Sequence, residues 1–395
     1  MNCDFDRIID RRQTCSVKWD FNQKIFGCED ILPLWVADMD FQAPEAVIEA
    51  LVNRAKHGIF GYSDGMDGYY ESLSTWMHEH HGWEIQRDWV SFSPGIVFAL
   101  YQLVRSLTKP GDKILLQSPV YPPFFKAVKN NGRELVNSQL RFIQGRYTMD
   151  FEDLEKKFSS GVKMMILCNP HNPVGRVWER EELDRLGQLC LAHDVLVISD
   201  EIHGDLIYQG HRHIPFAALS SELALKSIVC TAPSKTFNLA GLQTSNLIIP
   251  NPEYRQAFQE TRDLTGIHNP NVFGITALEA AYRHGGDWLN QLMVYLQGNV
   301  EFIMSSLDTV PQIQTVRPEG TYLMWLDFRE LGMEPKELQK FLVHKAGVGL
   351  NPGFQFGPGG DGFARLNIGC SRSILEEGFE RIRVAIDGLA KEMLN

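Results

Sequence analysis

Four short stretches carry residues able to do chemistry. "TAPSKTFNLAGLQ" (231–243) follows the apolar run "SIVC" and sets Lys235 among hydroxyl residues, a proline and a glycine, with no carboxylate within several positions. Such an amine is either a solvated loop charge or a group set aside for reaction, because lysine, unlike arginine, becomes neutral near pH 7 when desolvated or placed beside another cation. "ISDEIHGDL" (198–206) puts Asp200 directly after the run "VLVIS", and "CNPHNPVG" (168–175) projects Asn172 from a backbone turned by two Asn-Pro steps and a glycine. "SPGIVFAL" (93–100) places Gly95 where a loop enters a helix, leaving the amides of Gly95, Ile96 and Val97 to face an anion. Taken singly, an aspartate here is a loop or cap residue and an asparagine a turn former. Together they supply amides for a phosphate, a side-chain amide, a carboxylate and an amine.

The elements that must hold these groups are a layered sheet. Apolar runs suited to buried strands occur at "KILLQ" (113–117), "VKMMILC" (162–168), "VLVIS" (195–199), "SIVCT" (227–231) and "SNLII" (245–249). Helical patterns lie among them, notably "GIVFALYQLVRSL" (95–107) and "EREELDRLGQLCLAH" (179–193). This alternation predicts an α/β fold, in which ligands bind outside the carboxyl ends of the strands. Ahead of it, "PEAVIEALVNRAKHG" (44–58) reads as an amphipathic helix with Val47, Ile48, Leu51, Val52 and Ala55 on one face and Gly58 as its stop. Near residue 285 the pattern changes to a long helix from Asp287 to about Leu307, "TYLMWLDF" (321–328), a helix near 335–346, "FARLNIG" (363–369) and a terminal helix from Ser373. These make a second, α+β unit.

Composition excludes several classes. A chain of 395 residues exceeds the roughly 250–300 at which single cores stop growing, so two domains are expected. The net charge of −11 arises from 38 basic and 49 acidic residues with no basic block to track a phosphate backbone, which argues against nucleic acid as partner. The N-terminus has no apolar signal region and no run approaches the ~18 residues that span a bilayer, so neither secretion nor a membrane is expected. Seven cysteines without a C-x-x-C pair read as reduced thiols of a cytoplasmic protein. "GPGGDG" (357–362) matches G-x-G-x-x-G but precedes a strand-like run, so it is a turn. "HEHHGWE" (78–84) sets His78 and His81 one helical turn apart without H-E-x-x-H spacing or a second ligand cluster, and no metal is expected. There is no G-x-S-x-G elbow.

"NPHNPVG", "SDEIH" and "SKTFNLAG", in this order and spacing, resemble the fold-type I pyridoxal 5'-phosphate (PLP) enzymes of the class I/II aminotransferase group. Within it, "LWVADMDF", "SPVYPPF" (118–124), "DEIH" and "APSKTFNLAGLQ" are similar to carbon–sulfur lyases of the cystathionine β-lyase, MalY/PatB type. The resemblance implies a large domain with a mostly parallel central sheet flanked by helices (45–285) and a smaller α+β domain built from both termini (1–44 and 286–395). It implies that Lys235 forms the Schiff base with PLP and moves the substrate Cα proton, and that Asp200 keeps the pyridine nitrogen protonated. Asn172 and His203 would face the ring hydroxyl, and Tyr121 would stack on the ring. Gly95, Ile96, Val97 and Ser234 would hold the phosphate, with Thr231 a lesser contributor and Tyr62 reaching it from the neighbouring subunit of a homodimer. Arg365 would clamp the substrate carboxylate and Tyr322 line the substrate side.

Two departures matter. Many aminotransferases of this group carry tyrosine three residues after the aspartate and arginine eight after the lysine, where this chain has His203 and Gln243. Loss of that cation removes on the order of 1.5–3 kcal/mol of charged hydrogen bonding to phosphate. The implied reaction is α,β-elimination from an L-cysteine S-conjugate such as cystathionine, with transamination, or a regulatory role that keeps PLP, as the rivals.

Overall fold

The computed structural model describes residues 3–394, so positions 1–2 and 395 of the expected smaller domain lie outside the described residues. A seven-stranded sheet runs in the order Val90–Ser93, Ser245–Ile248, Ser227–Thr231, Leu196–Asp200, Val162–Cys168, Lys113–Leu116, Glu134–Asn137. The last five are parallel, and Ser245–Ile248 is antiparallel to its neighbour on each side. Two reversals return Val90–Ser93 to the common direction. Its carboxyl end therefore opens on the same edge as theirs.

"VKMMILC" lacks polar alternation because both its faces are covered. Met164, Ile166 and Cys168 enter one apolar cluster, and Met165 and Leu167 the other. The first is closed by the helix Ile96–Leu107, whose Ile96, Ala99, Leu100, Leu103 and Val104 form one buried stripe. The second is closed by Arg180–Ala192, which starts on a reciprocal capping pair, Glu179 with Glu182. Val90–Ser93 and Glu134–Asn137 are strands beyond the five apolar runs of the sequence. They are the two edges of the sheet, only partly buried, and an edge strand carries a weaker apolar signal.

A second sheet, wholly antiparallel, orders Gln314–Thr315, Leu323–Asp327, Phe363–Asn367 and Asn351–Pro352. Leu32–Pro33, from the other end of the chain, pairs in parallel with Val348–Gly349. Phe5, Leu34, Met39 and Phe41 share a core with Leu292, Leu296, Ile368 and Leu375, and that core continues to Val229 and Phe237 beside the large sheet. Among the described residues no helix is long and apolar enough to cross a membrane.

The helix Glu45–His57 ends on Gly58 in the left-handed region, as its sequence requires, but its apolar face is not buried as expected. Only Val47 is fully covered, while Val52 is 44% exposed. Ile59, Phe60, Tyr62 and Met66 continue the uncovered surface. Leu51 packs partly against the core, and the Phe60 ring meets Phe273 with centroids 5.7 Å apart.

Residues 34–41, "LWVADMDF", form a strap between the two sheets. Asp40 accepts hydrogen bonds from Lys18 Nζ at 2.7 Å, Arg11 Nη1 at 2.7 Å and Trp19 Nε1 at 2.9 Å, and Arg11 also reaches Asp38 at 2.8 Å. Lys18 is completely buried. Burial pushes the Asp40 carboxyl up, but the charge and hydrogen bond of Lys18, with Trp19 and Arg11, hold it below the ordinary carboxylate range. A group whose folded pKa lies below its unfolded one stabilises the fold at neutral pH and loses that contribution as pH falls through the folded value. Lys18→Met should therefore lower the thermal midpoint at pH 7. The loss should be ~2–3 kcal/mol rather than the ~3–5 of a buried charge left alone, since Arg11 and Trp19 remain. The gap to the parent should narrow by about pH 3 as Asp40 protonates; an equal gap at both pH values would show that the ion pair is not the source.

Candidate active site

A cavity of about 510 Å³ opens at the carboxyl edge of the large sheet, where the four chemistry-bearing stretches converge. Gly95, Ile96, Val97, Tyr121, Asn172, Asp200, His203, Ser234 and Lys235 all line it. The N-terminus of Ile96–Leu107 faces the space, and a Cβ built on Gly95 would meet nothing within 4 Å. Helices leave their first amides unpaired, so this end is an anion seat. Asn172 sits in a tight turn after Val162–Cys168, closed by His171 N–H donating to Arg176 O at 2.7 Å. Gly175, at φ 72°, makes that turn possible, and a Cβ there would meet Pro318 Cβ at 2.8 Å.

Asp200 is the last residue of its strand and is 4% exposed. Burial raises its carboxyl to about 7, opposed by the Ile202 N–H that donates to Oδ1 at 3.2 Å. Lys235 lies in the short helix Pro233–Thr236, and its Nζ donates to Ala37 O at 2.6 Å. Burial, then the positive charge of Arg365, pushes the amine down to about 8. Burial thus moves a carboxyl and an amine toward neutrality from opposite sides in one cavity, as perturbed groups at functional sites are.

Arg365, on Phe363–Asn367, is buried behind Asn172 and does not itself line the cavity. It donates to Asn172 Oδ1 at 2.9 Å, Trp35 O at 3.0 Å and Asn351 Oδ1 at 2.5 Å, while its Nε has no partner. Burial lowers its pKa to about 10. His203 is equally buried, its Nδ1 also lacks a partner, and burial with the charges of Lys235 and Arg365 holds its imidazole well below the ordinary value. Tyr322 does not line the cavity. Its hydroxyl donates to Ala37 O at 2.7 Å and its ring meets His203 edge-on, so it supports the floor. Thr231 is buried beneath, outside the lining. Tyr62 is fully exposed and outside this chain's cavity.

The strap also belongs to the site, which its local sequence does not announce. Ala37 lines the cavity and its carbonyl accepts from both Lys235 and Tyr322. Asn238 holds the strap through Met39 N–H, Met39 O and Phe41 O, and Asn367 holds it through Val36 O and Asp38 O. Nothing in the local pattern of "FNLAG" or "RLNIG" announces these bonds. Gln243, at φ 48°, lines the cavity where the related pattern has arginine. The "GPGGDG" stretch is a turn with Gly357, Gly359 and Gly362 at positive φ. His78 pairs with Glu84 on the surface and His81 with buried Asp205.

Residues 29–382 match the model of the family "Aminotransferase class I and II". Cystathionine beta-lyase PatB of Bacillus subtilis is 48% identical over 384 residues, covering 97% of this chain and 99% of that protein. Protein MalY of Escherichia coli is 35% identical over 380 residues, covering 95% and 96%. The crystal structure of cystalysin from Treponema denticola, which contains a pyridoxal 5'-phosphate cofactor, superposes with a TM-score of 0.96 at 39% identity, covering 98% of this chain and 100% of that one. With a family match over most of its length and relatives aligned nearly end to end, the chain belongs to the class I and II aminotransferase family.

Proposed function

We propose that the protein is a PLP-dependent carbon–sulfur β-lyase that cleaves L-cystathionine or related L-cysteine S-conjugates to a thiol, pyruvate and ammonia. The observation that carries this is the buried pair of Lys235 and Asp200, both moved toward neutral pH, in a cavity that also offers a helix N-terminus. The donor set fits PLP: amides of Gly95, Ile96 and Val97 with the Ser234 hydroxyl for the phosphate, Asp200 for the ring nitrogen, Asn172 and the unpartnered His203 for the ring hydroxyl, and Tyr121 for the ring face. Thr231, outside the lining, is the lesser contributor. When bound, PLP supplies an electron-accepting ring for the pair released at the substrate Cα.

The protein's own groups do the rest. Arg365, locked behind the lining by Asn172, Asn351 and Trp35, is the guanidinium that meets the substrate carboxylate, and its unpartnered Nε is a spare donor. Lys235, able to be neutral near pH 8, takes the Cα proton. The thiolate leaves from Cβ, and the released aminoacrylate takes up water to give pyruvate and ammonia. Asp200 as an anion stabilises positive charge at the ring nitrogen, and a cation there would draw its pKa down from the value burial alone sets. Tyr322 shapes the substrate side through Ala37 and His203. The names of the PatB and cystathionine β-lyase relatives favour elimination over transamination.

The working unit is a homodimer in which Tyr62 completes the phosphate site of the neighbouring subunit. Uncovered Ile59, Phe60, Tyr62 and Met66 support it, as does a cavity lined by no cation but Lys235 among the described residues. Residues 45–285 make the cofactor-binding domain and 1–44 with 286–395 the other, a division supported by each large sheet lying within one of these ranges.

Three measurements test this reading. Purified PLP-loaded protein given L-cystathionine should release pyruvate and thiol in equal amounts, and Lys235→Ala should cut that rate by about 10²–10⁴ or more; conversion of the cofactor to its amine form without pyruvate would mean an aminotransferase. The rate at which added PLP is captured covalently should rise with pH and level off above about 8, because the Lys235 amine must be neutral. In Arg365→Gln the midpoint should move up, since a neighbouring positive charge is gone; an unmoved midpoint would contradict the electrostatic account. Mixing Tyr62→Ala with Lys235→Ala chains should recover activity that neither has alone, because one site of each mixed dimer regains both residues. No recovery from mixed dimers would place Tyr62 outside the partner's site.

A further inference from the structure

Lys235 rides on a helix of four residues, Pro233–Thr236, too short to hold its own geometry. The aim of the amine must come from outside it. The next residue, Thr236, is fully buried and its hydroxyl donates to Asp205 Oδ2 at 2.6 Å. The other oxygen of that carboxylate accepts Trp76 Nε1 at 2.9 Å and His81 Nε2 at 2.8 Å, both from the helix Asp67–His81. Trp76 also meets Phe237 edge-on, with ring centroids 5.5 Å apart. Phe237 caps the lysine helix. Burial raises the Asp205 carboxyl, but the hydrogen bonds and charge of His81, with Thr236 and Trp76, bring it down to about 2.

None of Trp76, His81, Asp205 and Thr236 lines the cavity. They converge instead on the back of the one helix that carries its amine. On the other side Asn238 ties the same segment to the strap, whose Ala37 carbonyl accepts from Lys235. The lysine helix is thus gripped from both sides, by a buried anion and by the strap.

We propose that Asp205, acting through the Thr236 hydroxyl and itself anchored by Trp76 and His81, is a positioning residue that aims Lys235 into the cavity. This rests on the reading of Lys235 as the amine that joins PLP and moves the Cα proton. A loose lysine helix would leave substrate binding at Arg365 intact while misdirecting the base, so kcat falls and KM does not.

The test compares Thr236→Val, which keeps the shape and removes the donor, with Thr236→Ser, which keeps the donor. Both are read as PLP-loaded protein with far-UV circular dichroism confirming the fold. In Thr236→Val, kcat should drop about tenfold, on the order of one charge-assisted hydrogen bond, with KM within about twofold. The visible circular dichroism of the bound cofactor, which reports how the lysine link orients it, should change in Thr236→Val and return in Thr236→Ser. Parent-like kcat and visible signal in Thr236→Val, or equal impairment in both variants, overturns the proposal. Should Thr236→Val not fold, Trp76→Phe removes one anchor of the same carboxylate; a smaller change in the same two readouts supports the proposal and none overturns it. Borohydride treatment of the parent separates the two failures. It adds hydride to the C=N bond between amine and cofactor, leaving a stable secondary amine, and a parent with no such adduct at Lys235 would refute the assignment of that lysine rather than the role of Asp205.

Discussion

An amine buried away from water and beside another cation sheds its proton easily, and the proposed chemistry depends on keeping Lys235 in that condition. Two things do so: the walls that desolvate it and the Arg365 guanidinium that raises the cost of a second positive charge nearby. Arg365 is itself desolvated, and it stays in place because three fixed oxygens, from Asn172, Trp35 and Asn351, accept its hydrogen bonds. Those oxygens come from the large sheet's edge, the strap and the second sheet. The state of one amine is therefore a property of the assembled molecule.

The strap joins these parts. It is anchored at Asp40 by Lys18, Arg11 and Trp19, none of which lines the cavity, while Ala37 does and gives its carbonyl to Lys235. A buried charge cluster of this kind is a weak source of net stability but a strong source of specificity, since any other register leaves charges unpaired. Here register decides which carbonyl meets Lys235 Nζ. The same logic applies behind the lysine helix, where one carboxylate collects three donors.

The end of the cavity at Gly95, Ile96 and Val97 contrasts with this closure. It offers a helix N-terminus and small polar groups, with Gln243 where related enzymes often place arginine. A helix end provides about half a charge, less than a phosphate carries. The uncovered apolar surface from Val52 to Met66 shows that the described fold of one chain leaves a face unburied. Both observations concern what a single chain does not supply.

Local sequence determined where the strands end and what stands there. Asp200, Asn172, Gly95 and Lys235 each follow a short buried run or open a helix, so their placement at one sheet edge was legible from runs of a few residues. The edge strands and the fate of the apolar stripe on Glu45–His57 were less so, because burial on one side depends on neighbours that pattern does not name. Tertiary structure alone decided the strap and the clamp. The bonds from Lys235 to Ala37 and from Arg365 to Trp35 span 198 and 330 residues, and no periodicity reaches that far. Residue types can be read in sequence, whereas a pKa is set by distance and desolvation, which exist only once the chain has closed on itself.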